Sequence, residues 1–247
     1  MMSKDLARCF DPVLFARDCG VEPDPWQANL LRTRPHRSLM LCPRQTGKST
    51  VAQLTALWTA LYEPQSLVVI VSPSDRQSTE MLDVIARYHS ALDAAPLDRK
   101  NMHRMEFANG SKVIALPGTE RTIRGIAAVH LIVIDEAARI DDALIAAVFP
   151  FLATTNGSLI CLTTPKGRRG FFFEQWTGTE QWTRTKITVD ECPRISKAFL
   201  DEQMRKLGPV EFSEEYGLEF RDSIDAAFPS FLIDRAFSDQ EVELLWQ

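Results

Sequence analysis

The chain has 247 residues, 45% of them hydrophobic and 25% charged, which suits one large α/β domain with a small appendage and excludes two full-sized enzymatic domains. A formal net charge of -5 excludes a general electrostatic pull on nucleic acid, so any contact with a phosphate backbone must come from a local basic cluster. Five widely spaced cysteines with no C-x-x-C pair argue against a disulfide framework or a zinc site and fit a reducing cytoplasm.

No basic-then-apolar signal segment opens the chain, and no apolar run approaches the roughly 20 residues that span a bilayer. Four short apolar runs read as buried parallel strands: 38–43, 67–73, 131–137 and 158–165. Each is followed by helical periodicity, as over 49–62, 75–92 and 141–152, so the pattern predicts a mainly parallel sheet with helices on both faces. Between the second and third runs, Asn109-Gly110 flanked by strand-like residues predicts a hairpin that delivers "KVIALP" to the sheet. From about residue 177 the pattern changes to "WTRTKITVDE", a helix near 197–207 and an aromatic, acidic tail. The expected organisation is a core over 1–176 and a lid or linker subdomain over 177–247.

The first run leads into "CPRQTGKST", which satisfies x-x-x-x-G-K-[ST] between a strand and a helix. In such a phosphate loop Gly47 lets the backbone approach the phosphates, Lys48 reaches the β and γ oxygens of ATP, and Ser49 offers a hydroxyl to Mg2+, with Thr50 next in line. Cys42 stands where the loop usually has its first glycine, followed by Pro43, Arg44, Gln45 and Thr46. Arg44 is an added cation that either senses the γ-phosphate or pairs with an acid on the outer side of the loop. The third run ends in Asp135 and Glu136, at the carboxyl end of a strand where open α/β sheets bind ligands. Asp135 is expected to organise magnesium through water and Glu136 to polarise the attacking water. A glutamate there, with at least one strand intervening in sequence, marks a P-loop NTPase of the additional-strand (ASCE) type. The GTPase signature N-K-x-D is absent.

"PWQ", "CPRQTGKST", "TIRG", "LIVIDEAARI" and "LTTPKGRRGFFFEQW", in that order from Trp26 to Trp176, resemble the ATPase domain of the large terminase subunit, the DNA-packaging motor of tailed bacteriophages. A non-glycine first loop position and an Arg-Gln pair are typical of that family. The resemblance implies that Trp26 and Gln27, in an adenine-side segment over 1–36, recognise the base. It implies that Thr163 and Thr164 couple loss of the γ-phosphate to the lid, and that Arg124, with Arg121 as competitor, is an arginine finger for a neighbouring subunit. It further implies a homo-oligomeric ring on double-stranded DNA, a portal protein and a small terminase subunit as partners, and a place in the host bacterial cytoplasm and at the procapsid portal. The family's nuclease domain of the ribonuclease H type is expected to begin near where this sequence stops.

Two basic clusters are candidates for DNA contact: Arg99, Lys100 and Arg104, and Lys166, Arg168 and Arg169, both in predicted loops. A helicase-type ATPase and a nucleotide-switched assembly scaffold are the competing readings.

Overall fold

Alternation along the strands decides the layers. In β1 (Arg37–Leu41), Leu39 and Leu41 join one hydrophobic cluster while Met40 joins the other; in β6 (Leu131–Asp135), Ile132 and Ile134 part from Leu131 and Val133 in the same way. Both faces are apolar because both are covered, and each fully buried side chain of this kind contributes about 1.5–3 kcal/mol. The computed structural model describes residues 2–94, 96–118, 126–192 and 194–221.

One face carries α2 (Pro12–Asp18), α3 (Pro25–Thr33), α4 (Lys48–Tyr62) and α5 (Asp75–Ala91), whose Phe15, Leu31, Leu57 and Ile85 fill the first cluster. Helix α1 (Met2–Phe10) packs behind them, where the Trp58 indole N–H donates to the carbonyl of Arg8 at 3.2 Å. The second face carries α6 (Asp142–Val148) and α7 (Gly170–Thr177), with Leu144, Ile145 and Phe172 buried. The last helix is α8 (Lys197–Glu215).

The eight strands lie in the order β3-β4-β5-β2-β6-β7-β1-β8. Besides β1 and β6 these are β2 (Leu67–Ser72), β3 (Leu97–Lys100), β4 (Arg104–Phe107), β5 (Lys112–Pro117), β7 (Ser158–Thr163) and β8 (Thr183–Lys186). From β5 to β8 every neighbour is parallel; β3-β4 and β4-β5 are antiparallel. The Asn109-Gly110 hairpin forms as the sequence predicts, with Gly110 at φ 83 and the Asn109 amide donating to the carbonyls of Ala60 and Leu61. β7 lies between β1 and β6, so the strand separating the phosphate-loop strand from the Asp135 strand is the one that ends in Thr163.

Three expectations change. The stretch after residue 176 is not all appendage: β8 pairs with β1 in register, Ser38 with Thr183 through Leu41 with Lys186, and extends the main sheet. Its sequence, "TRTK", gives no apolar run because it is a half-exposed edge strand. The helix predicted over 197–207 continues to Glu215 across a break at Gly208 (φ 74, ψ 169) and Pro209. The helix predicted over 141–152 is α-helical only to Val148 and tightens into a 3-10 turn around Pro150, which lacks an N–H. No helix among the described residues is long and apolar enough to cross a membrane.

Candidate functional site

The phosphate loop closes on itself and on the sheet. Thr46 Oγ1 donates to the Pro43 carbonyl at 2.9 Å, and the Cys42 amide donates to the Thr163 carbonyl at 3.2 Å. Left-handed backbone occurs at Gln45 (φ 63) and Gly47 (φ 88) and not at Cys42. Cys42 is fully buried in the first cluster, and burial pushes its thiol up to about 12. The missing glycine therefore costs nothing: the position needs a small side chain facing the core, not a positive φ. Gly47 caps α4 without a side-chain hydrogen bond, which leaves the N–H groups of the first turn open to an anion. Lys48 is buried at the start of that turn, with Ser49 half-buried beside it. Thr50 follows on the same turn, half-buried.

On one flank, α3 props the loop. Gln27 is 2% exposed; its Oε1 accepts from the Asp24 amide at 2.8 Å and its Nε2 donates to the Gly47 carbonyl at 3.1 Å. A Cβ on Gly47 would stand 2.5 Å from that Nε2. Arg194 reaches the same place from the C-terminal segment, 2.6 Å from Asp24 Oδ2 and 3.2 Å from the Thr46 carbonyl. Trp26 packs against the first cluster, its indole N–H enclosed without a hydrogen-bond partner among the described residues.

On the other flank, at the strand ends, charges converge. Lys48 Nζ lies 3.4 Å from Glu136 Oε1, and Arg139 Nε lies 3.7 Å from Glu136 Oε2. Glu136 is left-handed (φ 51, ψ 45) at the turn leaving β6, an unusual conformation for a non-glycine residue that aims its side chain back over the loop. Asp135 is 8% exposed; burial, then the charge of Glu136, push its carboxyl up to about 6 against the pull of Lys48. Thr163 donates to the Thr164 carbonyl at 2.7 Å and sits 3.4 Å from Glu136 Oε2. Arg139 Nη2 donates to Thr164 Oγ1 at 3.4 Å. Arg44 points outward and is gripped by Glu215 of α8, Nε to Oε2 at 2.7 Å and Nη2 to Oε1 at 2.8 Å, while Arg139 holds Oε1 from the far side at 3.0 Å. Of the two roles open to Arg44, pairing with an acid is the one this structure contains.

A buried lysine, an uncapped helix N-terminus, a hydroxyl and a buried carboxylate fit a nucleotide phosphate chain with a magnesium ion. Ser49 and Asp135 supply hard oxygen donors, and such an ion takes its other ligands from phosphates and water. No group of three or more His, Cys, Asp or Glu among the described residues forms a metal cage by itself.

The two basic clusters differ. Arg99 and Lys100 lie in β3 and Arg104 opens β4, so the first cluster is an edge ribbon and not a loop. Lys100 is 3.1 Å from Asp83, and Arg104 Nε is 2.8 Å from Glu106 Oε1, in ion-pair contact without hydrogen-bond alignment. Lys166, Arg168 and Arg169 are exposed in the turn between β7 and α7, as predicted. Arg168 lies 5.9 Å from the centre of the Phe173 ring, and Lys166 and Arg169 line an open groove with Arg139, Asp141 and Asp142. Arg121 and Arg124 lie outside the described residues.

The family model for the N-terminal part of the T4-like-virus-type large terminase subunit matches residues 39–235. The chain belongs to that family. The large terminase subunit of Thermus virus P23-45 is 22% identical over 250 residues, covering 85% of this chain and 51% of that protein. The chain thus spans about half the length of that curated relative. The large terminase ATPase domain of Thermus phage P74-26 superposes with a TM-score of 0.70 at 21% identity, covering 83% of this chain and 97% of that one. A large terminase from a thermophilic bacteriophage, solved in complex with ADP, gives 0.62 at 11% identity, over 88% and 53% of the two chains. At such identities the structural likeness speaks for the fold.

Within this terminase chain, motif reading found the loop, the carboxylate pair and the threonines. It missed Arg139, Arg194 and Glu215. Arg139 had a local signal, since it follows Glu136 by three residues on a 3-10 turn, Ala137–Arg139, that brings it back over the site. Arg194 and Glu215 come from far along the chain and left none.

Proposed function

We propose that this chain is the ATP-hydrolysing motor part of a large terminase and drives double-stranded viral DNA into a procapsid. One observation carries the chemical part: Lys48, Asp135, Glu136 and Thr163 meet at the carboxyl ends of three adjacent strands, β1, β6 and β7. Lys48 and the amides of the loop bind the phosphates, and Ser49 and Asp135 orient the metal. Bound magnesium would offset charge on the phosphate oxygens during transfer. Glu136 polarises the attacking water, its carboxylate kept in place by Lys48, Arg139 and Thr163. Trp26 and Gln27 serve the adenine side. Thr163 and Thr164, fully buried beneath Glu136 and Arg139, pass the state of the γ-phosphate to the segment beyond residue 176.

Arg124 completes the site of a neighbouring subunit in a ring, which works on the portal with a small terminase subunit in the host cytoplasm. The test is ATP turnover with duplex DNA over a range of protein concentration. A steep rise with concentration that Arg124→Ala abolishes, with nucleotide binding intact, supports the reading; unwinding of forked DNA would favour a helicase. For DNA contact, the cluster of Lys166, Arg168 and Arg169, which forms no ion pair among the described residues, is favoured over the ribbon in which Lys100 and Arg104 are ion-paired. Neutralising the former should flatten the salt dependence of duplex binding, by a slope of about 0.9 for each phosphate that the protein no longer neutralises.

A further inference from the structure

The phosphate-site groups gather at the carboxyl ends of β1, β6 and β7; a cavity lies at the amino ends of the same three strands. It occupies about 240 Å³ between the sheet and helices α3 and α4. Ser38 near the start of β1 and the first residues of β6 and β7, Leu131 and Ser158, form its floor. Helix α4 roofs it with Val51, Thr55 and Thr59, one face of the helix at a spacing of four. Protein interiors leave few voids larger than a water molecule, and this one has room for about eight.

Its walls are mixed, and the mixture selects a chemistry. Leu30, Val51, Leu131 and Ile160 are buried and offer water no partners, so an apolar body belongs between them. Ser38 is 2% exposed, and its hydroxyl is enclosed without a hydrogen-bond partner among the described residues. It shares its face of β1 with Met40, which also lines the cavity, and so faces the same space. Thr55 Oγ1 donates to the Val51 carbonyl at 2.8 Å, which leaves it an acceptor. An occupant that carries its own hydroxyl, donor and acceptor at once, matches these two residues.

At the rim the charges favour an anion. Arg34 follows α3 in a left-handed conformation (φ 39, ψ 63), and its guanidinium lies 3.7 Å from the centre of the Trp58 ring, which orients the fork. Glu63 Oε1, at the end of α4, is 3.6 Å from Arg34 Nη1, an exposed ion pair too long for a hydrogen bond and readily replaced. Arg32 adds a second cation to the rim. His130 Nδ1 accepts from the Leu67 amide at 3.2 Å, so the neutral ring keeps its proton on Nε2 as a further donor. A carboxylate binds a guanidinium fork through two parallel hydrogen bonds.

We infer that this cavity binds a small hydroxylated carboxylic acid of about ten non-hydrogen atoms. Its body lies between the apolar walls, its hydroxyl reaches inward to Ser38 and Thr55, and its carboxylate rests on Arg34 at the rim. The site is separate from the phosphate loop and does not depend on the ATPase reading. The two share α4, whose first turn follows the loop and whose later turns line the cavity.

The experiment is a ligand-observed NMR titration of para-hydroxybenzoate, benzoate and para-hydroxybenzyl alcohol into wild type, Arg34→Gln and Thr55→Val. Wild type should bind para-hydroxybenzoate with a Kd of about 1 mM or below. Benzoate lacks the inner hydroxyl and the alcohol lacks the charge, so each should bind about tenfold more weakly. Arg34→Gln should weaken para-hydroxybenzoate about tenfold and leave the alcohol unmoved, and Thr55→Val should weaken it similarly and leave benzoate unmoved. The probe that each variant leaves unmoved also reports that the variant is folded, and each variant tests the inference independently. No saturable binding of para-hydroxybenzoate up to about 10 mM, equal affinity for the three probes, or failure of either substitution to act selectively would overturn the inference.

Discussion

The two flanks of the phosphate loop are built on opposite principles. On the α3 flank the contacts to the loop itself are made to its backbone, Gln27 to the Gly47 carbonyl and Arg194 to the Thr46 carbonyl, while Asp24 anchors both residues, its amide to Gln27 and its carboxylate to Arg194. On the strand-end flank they are charged and made between side chains, several at 3.4 to 3.7 Å, as between Lys48, Glu136 and Arg139. Backbone contacts fix the shape of a loop, whatever nucleotide is bound. Long ion pairs between side chains exchange partners at little cost, which suits groups that must respond to a phosphate that arrives and leaves. Mutation should therefore touch binding on one side of the loop and chemistry on the other.

The strand-end flank should respond most strongly. Glu136→Gln removes the charge that polarises water while keeping the shape, so turnover should fall by about 10²–10⁴-fold. Nucleotide affinity should change only a few-fold, because the backbone amides and Lys48 remain. A single-turnover assay beside a binding titration separates the two; a loss of affinity matching the loss of rate would erase the contrast between the flanks.

Next comes the α3 flank. Gly47→Ala meets two obstacles at once, a φ of 88 and a Cβ 2.5 Å from Gln27 Nε2. A strained left-handed residue costs about 1–3 kcal/mol, so affinity should drop roughly ten- to a hundredfold, and equally for ATP and ADP. Adding Gln27→Ala removes the clash but not the strain. The double variant should recover part of the loss, whereas full recovery would mean that the steric contact alone matters. Equality between the two nucleotides is the signature of a flank that shapes the loop without reading the γ-phosphate.

The same contrast explains what the sequence made legible. The loop, the Asp135-Glu136 pair and the Asn109-Gly110 hairpin are local: a few adjacent residues carry both the backbone geometry and the chemistry. The buried strands were equally plain, since covering both faces makes them apolar throughout. Edge strand β8 was hidden because half-exposed "TRTK" lacks that pattern, and what secures it is remote from any motif: Arg184 donates to the carbonyls of Gln175 at 2.7 Å, Gly178 at 2.8 Å and Trp176 at 3.0 Å, and so closes the end of α7. Cys42 was legible as a departure from a pattern, but its harmlessness depends on φ and on burial, which only the fold supplies. Arg194 and Glu215 sit 148 and 171 residues from their loop partners, and no period or spacing reports a contact of that range.

The mildest response concerns stability and comes from Glu215. Burial alone pushes its carboxyl up, but hydrogen bonds from Arg44 and Arg139, with their charges, outweigh this and hold it below its usual value of 4.5. A carboxylate whose pKa is lowered by folding stabilises the native state above its unfolded pKa and loses that contribution as pH falls through the folded value. Arg44 is 57% exposed, so solvent screens its half of the pair, and Glu215→Gln should cost about 1 kcal/mol at pH 7. The gap between wild type and variant should then narrow below about pH 4.5 and close under still more acid conditions, as the wild-type side chain also becomes neutral. Thermal unfolding of both proteins in the absence of nucleotide, stepped from pH 7 to pH 4, measures it. A gap independent of pH would mean that shape and not charge holds α8 to the loop, and the strand-end flank would then resemble the α3 flank more than its ion pairs suggest.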